Sequence, residues 1–162
     1  MLRVALTGGI GTGKSTASKI LNELGAFIFD ADKEAKNILK NNETIQSELI
    51  AEFGTDIMSG DEKIDNNKLA RIAFQDQDHQ LRLNSIIHPY VFQEIDKNFD
   101  DVLEKSAYDI FVVDAALIYE SGADTHMDYV IVITALLKVR MERALQRETL
   151  TRDEILKRMD LQ

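Results

Sequence analysis

Cysteine is absent from this 162-residue sequence, which excludes disulfide frameworks, thiolate metal sites and cysteine nucleophiles. Histidine is scarce, with His79, His88 and His126 the only imidazoles. Long apolar runs are lacking as well. The longest, Ile110 to Val113 and Tyr129 to Ala135, fall far short of the roughly 20 residues that cross a bilayer, so no membrane span is expected. The first nine residues carry one basic side chain, Arg3, and run straight into glycines, a pattern that fits no secretory leader and makes a cytoplasmic protein the expectation. Positive charge is in short supply: 19 Lys and Arg stand against 28 Asp and Glu, a net charge of -9. That balance argues against general binding to nucleic acid or to an anionic membrane surface.

What is present is ordinary globular material, 44% hydrophobic and 29% charged, at the size of one domain. Leu2 to Thr7 is a short β-suited run ending in glycines, and Lys14 to Leu24 follows with helical spacing through Ala17, Ile20, Leu21 and Leu24. Gly25 stops that helix, and Ala26 to Phe29 predicts a second strand leading into Asp30 and Asp32. The chain thus opens with a βαβ unit. From Lys33 to Lys105 the pattern is helical, with a polar turn near Ser59, Gly60 and Asp61 and a break at His88-Pro89, where the single proline is expected in the first turn of a new helix. Asp109 to Asp114 and Asp128 to Thr134 predict two more strands, continuously apolar as expected where helices cover both sheet faces. Lys138 to Arg147 predicts a helix, and Thr151 to Glu154 is a capping-box pattern opening a last one.

The strongest chemical signal lies between the first strand and the first helix. Gly8, Gly13, Lys14 and Ser15 satisfy the pattern G-x-x-x-x-G-K-[ST] in the strand-to-helix context it requires. Glycines let successive backbone N–H groups turn toward a phosphate chain at a helix N-terminus, where unsatisfied donors and the helix dipole favour anions. Lys14 then reaches the outer phosphates, and Ser15 offers a hydroxyl to Mg²⁺. The expected class is α/β, with a parallel sheet flanked by helices in a P-loop nucleoside triphosphate hydrolase fold.

Carboxylates at strand ends complete the pattern. Asp30 and Asp32 fall near the phosphate edge, because ligands of open α/β sheets bind outside the carboxyl ends of strands. Either serves as a base or merely caps the next helix. Asp114 ends an apolar strand in the manner of carboxylates that reach the metal of phosphoryl-transfer sites. A GTPase would need an Asn-Lys-x-Asp element after a late strand, and Asn67-Lys68 in the helical stretch does not supply it. A motor or transporter ATPase would couple to partner domains for which this chain is too short. A small-metabolite kinase needs only a phosphate loop, an acceptor-binding insertion, a base and an arginine lid. The segment Lys138 to Arg158 fits the last, with seven basic residues against four acids in an otherwise acidic chain. Arg140, Arg143 and Arg147 share one helical face there and are expected to converge on the phosphates.

These features occur together in one family. The run Thr7 to Thr16, Asp30-Ala-Asp32 with Ala35, Ile87-His88-Pro89, Leu117 to Glu120, and Arg143 and Arg147 followed by Arg158 to Gln162 resemble dephospho-CoA kinase along the whole chain. The resemblance implies transfer of the γ-phosphate of ATP to the 3′-hydroxyl of dephospho-CoA. It implies Asp32 as base, Lys14 and Arg147 at the transferring phosphate, and Gly11, Thr12, Gly13, Lys14, Ser15, Thr16 and Arg143 on ATP. Ser15 and Asp114 would serve Mg²⁺. Thr7, Asp32, Arg71, His88 and Glu120 are the expected acceptor contacts. The implied layout has a core at 1–32 and 109–134, an acceptor-binding insertion at 33–108 and a lid with the last helix at 135–162. Ala116-Leu117-Ile118 stands where the family carries Pro-Leu-Leu, leaving that loop less constrained. The family also continues past the residue matching Gln162 into a strand and a helix that contribute to the adenine site. The chain is therefore expected to be a shortened form of its gene product, less stable and weaker for ATP than a longer one. The competing readings are another small-metabolite kinase, of the shikimate type, and an inactive nucleotide-binding fragment.

Overall fold

The structure, a computed structural model, describes residues 1–60, 63–146 and 151–160. They fall into two compact units, one formed by 1–32 with 95–162 and the other by 33–94. In the first, β1 (Leu2–Thr7), β2 (Phe27–Asp30), β3 (Ile110–Asp114) and β4 (Tyr129–Val132) form a parallel sheet in the order β2-β3-β1-β4. Register sets Leu6 and Asp30 beside Asp114, so the strands finish together at one edge.

Alternation along β3 gives each sheet face its own cover. On one face Leu6, Ala26 and Val112 are buried against Ala17 and Leu21 of α1 (Lys14–Glu23). The opposite face is aromatic. Phe111 is fully buried, stacks on Phe27 and Phe29 at centroid distances of 5.3 and 6.1 Å, and meets Phe99 edge-on at 5.4 Å. Phe99 belongs to the C-terminal part of α5 (Gln77–Lys105). Arg3 lies over the Phe99 ring at 5.2 Å and pairs with Asp96 at 2.6 Å, fastening the same part of α5 to β1. After β4 come α6 (Leu137–Leu145) and α7 (Arg152–Asp160). The expected capping box opens α7: Thr151 N–H donates to the Glu154 carboxylate at 2.8 Å and Glu154 N–H to the Thr151 hydroxyl at 3.3 Å.

The second unit is helical. It holds most of α2 (Ala31–Asn41), then α3 (Glu43–Phe53), α4 (Asn66–Ala73) and the first part of α5. Asn42 accepts from the N–H groups of Thr44 and Ile45, and Asp65 from those of Asn67 and Lys68. These are the side-chain caps that start α3 and α4. Between them Met58 and Ile64 form a single antiparallel bridge around the polar turn, whose Asp61 lies outside the described residues.

Two expectations need correction. The helix does not break at His88-Pro89; α5 runs through Pro89 for 29 residues. Proline removes one N–H from the ladder and disfavours a helix interior. Here, however, Ile87, Val91, Ile95 and Val102 are all buried at helical spacing on both sides of it. Burial along that stripe outweighs one missing bond, and the Ser85 carbonyl that loses its donor belongs to an exposed residue open to water. The second correction concerns β4. Its apolar run was expected under helices on both faces, yet Tyr129, Ile131 and Val132 are 64, 37 and 49% exposed. The sheet order explains this, since β4 is an edge strand hydrogen-bonded only to β1 among the described residues.

The aromatic face yields a stability prediction. Phe111→Ala empties the centre of the Phe27, Phe29 and Phe99 cluster. It should cost about 3–5 kcal/mol, a large share of a total stability of roughly 5–15 kcal/mol. The fall in the urea midpoint at unchanged m-value measures it.

Candidate phosphate and acceptor site

The loop between β1 and α1 is built by two backbone constraints. Gly13 takes φ 104°, a left-handed conformation, and its carbonyl receives the N–H groups of Thr16 and Ala17 at 3.0 and 3.1 Å, closing the first turn of α1. Gly11, at φ 77°, lies so close to α6 that a Cβ atom there would sit 2.3 Å from the Arg140 carbonyl oxygen. Only glycine fits. Residues 8–15 with Ala116 line a cleft over the sheet's carboxyl edge.

Into that region the fold brings Lys14, Asp32 and Asp114. The Lys14 ammonium donates to the Asp114 carboxylate and, at 3.3 Å, to Asp32. Asp114 is almost enclosed, its side chain 10% exposed, whereas that of Asp32 is 50% exposed. Burial alone would lower the Lys14 pKa, but the hydrogen bond it donates to Asp114 and the charges of both carboxylates outweigh it and hold the group above its ordinary value. Asp32 is the second residue of α2, and Asp30 ends β2 beside Asp114. Ser15 and Thr16, in the first turn of α1, are exposed. Thr7 is buried and its hydroxyl donates to the Ala116 carbonyl at 3.2 Å, tying β1 to the segment after β3. Glu120 is exposed in that segment.

Of the arginines, Arg143 donates to the carbonyls of Gly11 and Thr12, both at 3.3 Å. Arg140 donates through Nε to the Ile10 carbonyl at 2.9 Å. Both were expected to face phosphate; in this structure both hold loop carbonyls. Arg147 lies outside the described residues. Arg71 and His88 belong to the other unit, Arg71 exposed in the last turn of α4 and His88 half-buried on α5 with its ring 5.9 Å from that of Phe92.

The dephospho-CoA kinase (CoaE) family matches residues 2–162. The chain belongs to the dephospho-CoA kinase family. It is 36% identical over 159 residues to a dephospho-CoA kinase of Corynebacterium glutamicum, covering 98% of this chain and 79% of that one. Against that of Carboxydothermus hydrogenoformans it is 38% identical over 159 residues, covering 98% and 77%. Among solved structures it resembles the dephospho-CoA kinase from Campylobacter jejuni, with a TM-score of 0.64, 28% identity and coverage of 99% and 79%. It also resembles the Thermus thermophilus protein TT1252, with a TM-score of 0.79, 27% identity and coverage of 99% and 80%. These likenesses carry the P-loop kinase fold, and the family match leaves a shikimate-type kinase without support.

For a dephospho-CoA kinase, sequence reasoning missed a second cleft on the outer side of the loop. It is lined by Thr16, Ala17 and Ile20 of α1 and by Arg143 and Gln146. No sequence signal marked it: Ile20 shares its apolar spacing with Ala17 and Leu21, which pack against the sheet, and only the structure leaves it 50% exposed. Among the described residues no group of three or more His, Asp or Glu is placed to hold a metal. A magnesium ion takes one or two carboxylates and fills its remaining positions with water and phosphate oxygens. The hard oxygens of Asp114 and Ser15 fit such an ion, and the buried Asp114 carboxylate already requires a cation beside it. No described helix is long and apolar enough to cross a membrane.

Two predictions follow from these environments. Lys14→Ala leaves the Asp114 carboxylate buried without its cation, so it should destabilise the fold more than the double variant Lys14→Ala/Asp114→Asn does. Chemical denaturation of the three chains tests this, and equal midpoints for single and double variants would contradict it. His88 is held below its ordinary pKa by burial, so its contribution to stability is complete above the unfolded value near 6.5 and declines as pH falls toward the lower folded value. Denaturation midpoints between pH 8 and 5 should show that decline in the native chain and a smaller one in His88→Asn.

Proposed function

We propose that this chain transfers the γ-phosphoryl group of ATP to the 3′-hydroxyl of dephospho-CoA, giving coenzyme A and ADP. The carrying observation is a family match from residue 2 to residue 162 over a cleft in which Lys14, Asp32 and Asp114 converge. The loop's N–H groups and Lys14 take the ATP phosphates. This requires Lys14 to exchange its carboxylate partners for phosphate oxygens, and the exchange is favourable only if another cation replaces it at Asp114. Asp114 and Ser15 would hold Mg²⁺ there, and the chemistry it would supply is charge neutralisation on the phosphates.

Exposure separates the two carboxylates. Asp32, half open to solvent, is accessible to an acceptor hydroxyl, while the enclosed Asp114 is not. Asp32 therefore receives the hydroxyl proton as the acceptor oxygen bonds to the γ-phosphorus and the bond to the β,γ-bridging oxygen breaks, releasing ADP. Arg147 is assigned to the charge on the transferring group, where a forked, permanently charged donor acts better than lysine. Thr16, Ala17 and Ile20 opposite Arg143 offer an apolar floor and a flat cation, a suitable seat for the nucleoside end of ATP. Thr7, Glu120, Arg71 and His88 are assigned to the acceptor, with the helical unit as its binding element and the segment from 135 as the lid.

A coupled ADP-release assay tests the reading. Dephospho-CoA should stimulate release from ATP and Mg²⁺, and absence of stimulation would overturn it. Within that assay Asp32→Asn should lower kcat by about 10²-fold or more, because an amide positions a hydroxyl without accepting its proton. ATP affinity, measured by calorimetry, should remain close to that of the native chain.

A further inference from the structure

Three consecutive carbonyls of the phosphate loop, those of Ile10, Gly11 and Thr12, face arginines on one side of α6. The approach is as close as backbone allows, since the Arg140 main chain occupies the space a Gly11 side chain would need. A trans peptide unit directs its N–H opposite to its C=O. Carbonyls drawn toward α6 therefore turn the N–H groups of Gly11 and Gly13 away from it, toward the phosphate cleft lined by the same loop. The intervening N–H of Thr12 is already engaged by the Gly9 carbonyl at 3.3 Å.

The two arginines are unequal in this. Arg143 is exposed and shares two longer bonds, so it is free to swing toward a ligand. Arg140 is half-buried, its Nε makes one 2.9 Å bond to the Ile10 carbonyl, and it lines neither the phosphate cleft nor the second one. A charged donor to a carbonyl is among the stronger hydrogen bonds. We propose that Arg140 is a positioning residue for nucleotide binding, which acts through the Ile10 carbonyl by holding the loop in the orientation that presents its N–H groups to the phosphates. It touches the loop and not the nucleotide. This rests on the reading of the loop as the ATP phosphate site.

The experiment is calorimetric titration of the full chain with ADP and Mg²⁺, alongside steady-state kinetics, for the native chain, Arg140→Met and Arg140→Gln. Arg140→Met keeps the length and loses the donor. It should raise the Kd for ADP and the KM for ATP roughly tenfold, the scale of one charge-assisted bond, while kcat stays within about threefold. The KM for dephospho-CoA should not move. Arg140→Gln restores a neutral donor to the carbonyl and should recover most of the lost affinity. Amide exchange of residues 9–13 in the nucleotide-free protein should quicken in Arg140→Met and return with Arg140→Gln. A folded Arg140→Met with native Kd would overturn the proposal. So would a kcat collapse that Arg140→Gln fails to rescue, because that is the signature of a direct contact to the transferring phosphate. If Arg140→Met does not fold, Arg140→Gln decides alone: near-native affinity supports the proposal and a tenfold loss sinks it. A native chain that fails to bind ADP would instead remove the phosphate-site reading itself, an outcome distinct from any difference among the variants.

Discussion

The site depends on one buried charge pair. Asp114 stands at the end of β3, the strand whose preceding residues form the apolar centre of the sheet, and its carboxylate is almost withdrawn from water. An isolated carboxylate there would cost several kcal/mol, so the position is tenable only with a cation against it. In this structure the cation is Lys14. The lysine can reach because Gly13 turns the chain into α1 directly above the strand ends, and those ends are level because β1, β2 and β3 pair in parallel register. Loop, helix and sheet edge are thus mutually conditional.

That pair also frames the chemistry. Both carboxylates hold the Lys14 ammonium, and under the proposed reading a polyphosphate would compete with Asp32 and Asp114 for it. Under the proposed reading, Asp114 and Ser15 would hold a divalent ion, whose charge would take the lysine's place at the Asp114 carboxylate. Solvent access then sorts the acidic groups: the enclosed carboxylate suits a cation, the open one suits a proton transfer. Outside this centre a second layer, Arg140 and Arg143 against the loop carbonyls, shapes the phosphate-binding backbone without adding to the charge pair.

Much of this was legible in the residue pattern because it is local. The glycine spacing before Lys14 and Ser15, the strand-to-helix context and the capping box at Thr151 each involve neighbours within a few positions, where backbone stereochemistry decides the outcome. The four strands were readable from short apolar runs bounded by turn residues. What failed was non-local. Pro89 reads as a helix boundary on local grounds, and the buried stripe from Ile87 to Val102 overrides it. The run at 129–132 reads as doubly covered, and only the sheet order reveals it as an exposed edge. Helical spacing puts Arg140 and Arg143 on one face, and the structure adds that this face meets the loop carbonyls of residues 10–12.

The sequence by itself therefore determined the chemistry available to this protein: a phosphate-cradling loop, a lysine and a hydroxyl at its helix, and carboxylates at strand ends, all set by short-range backbone rules. The tertiary structure decided which of these groups meet and how wet each one is. The sequence already separates the expected roles of Asp32 and Asp114, base against metal carboxylate, but not their solvent access: only packing leaves one half-exposed and encloses the other against Lys14. The reason is physical: charge, hydrogen-bonding capacity and helical or strand period belong to residues and their near neighbours. Desolvation, register and the close passage of α6 over Gly11 arise only when segments more than a hundred residues apart in the chain are brought into contact.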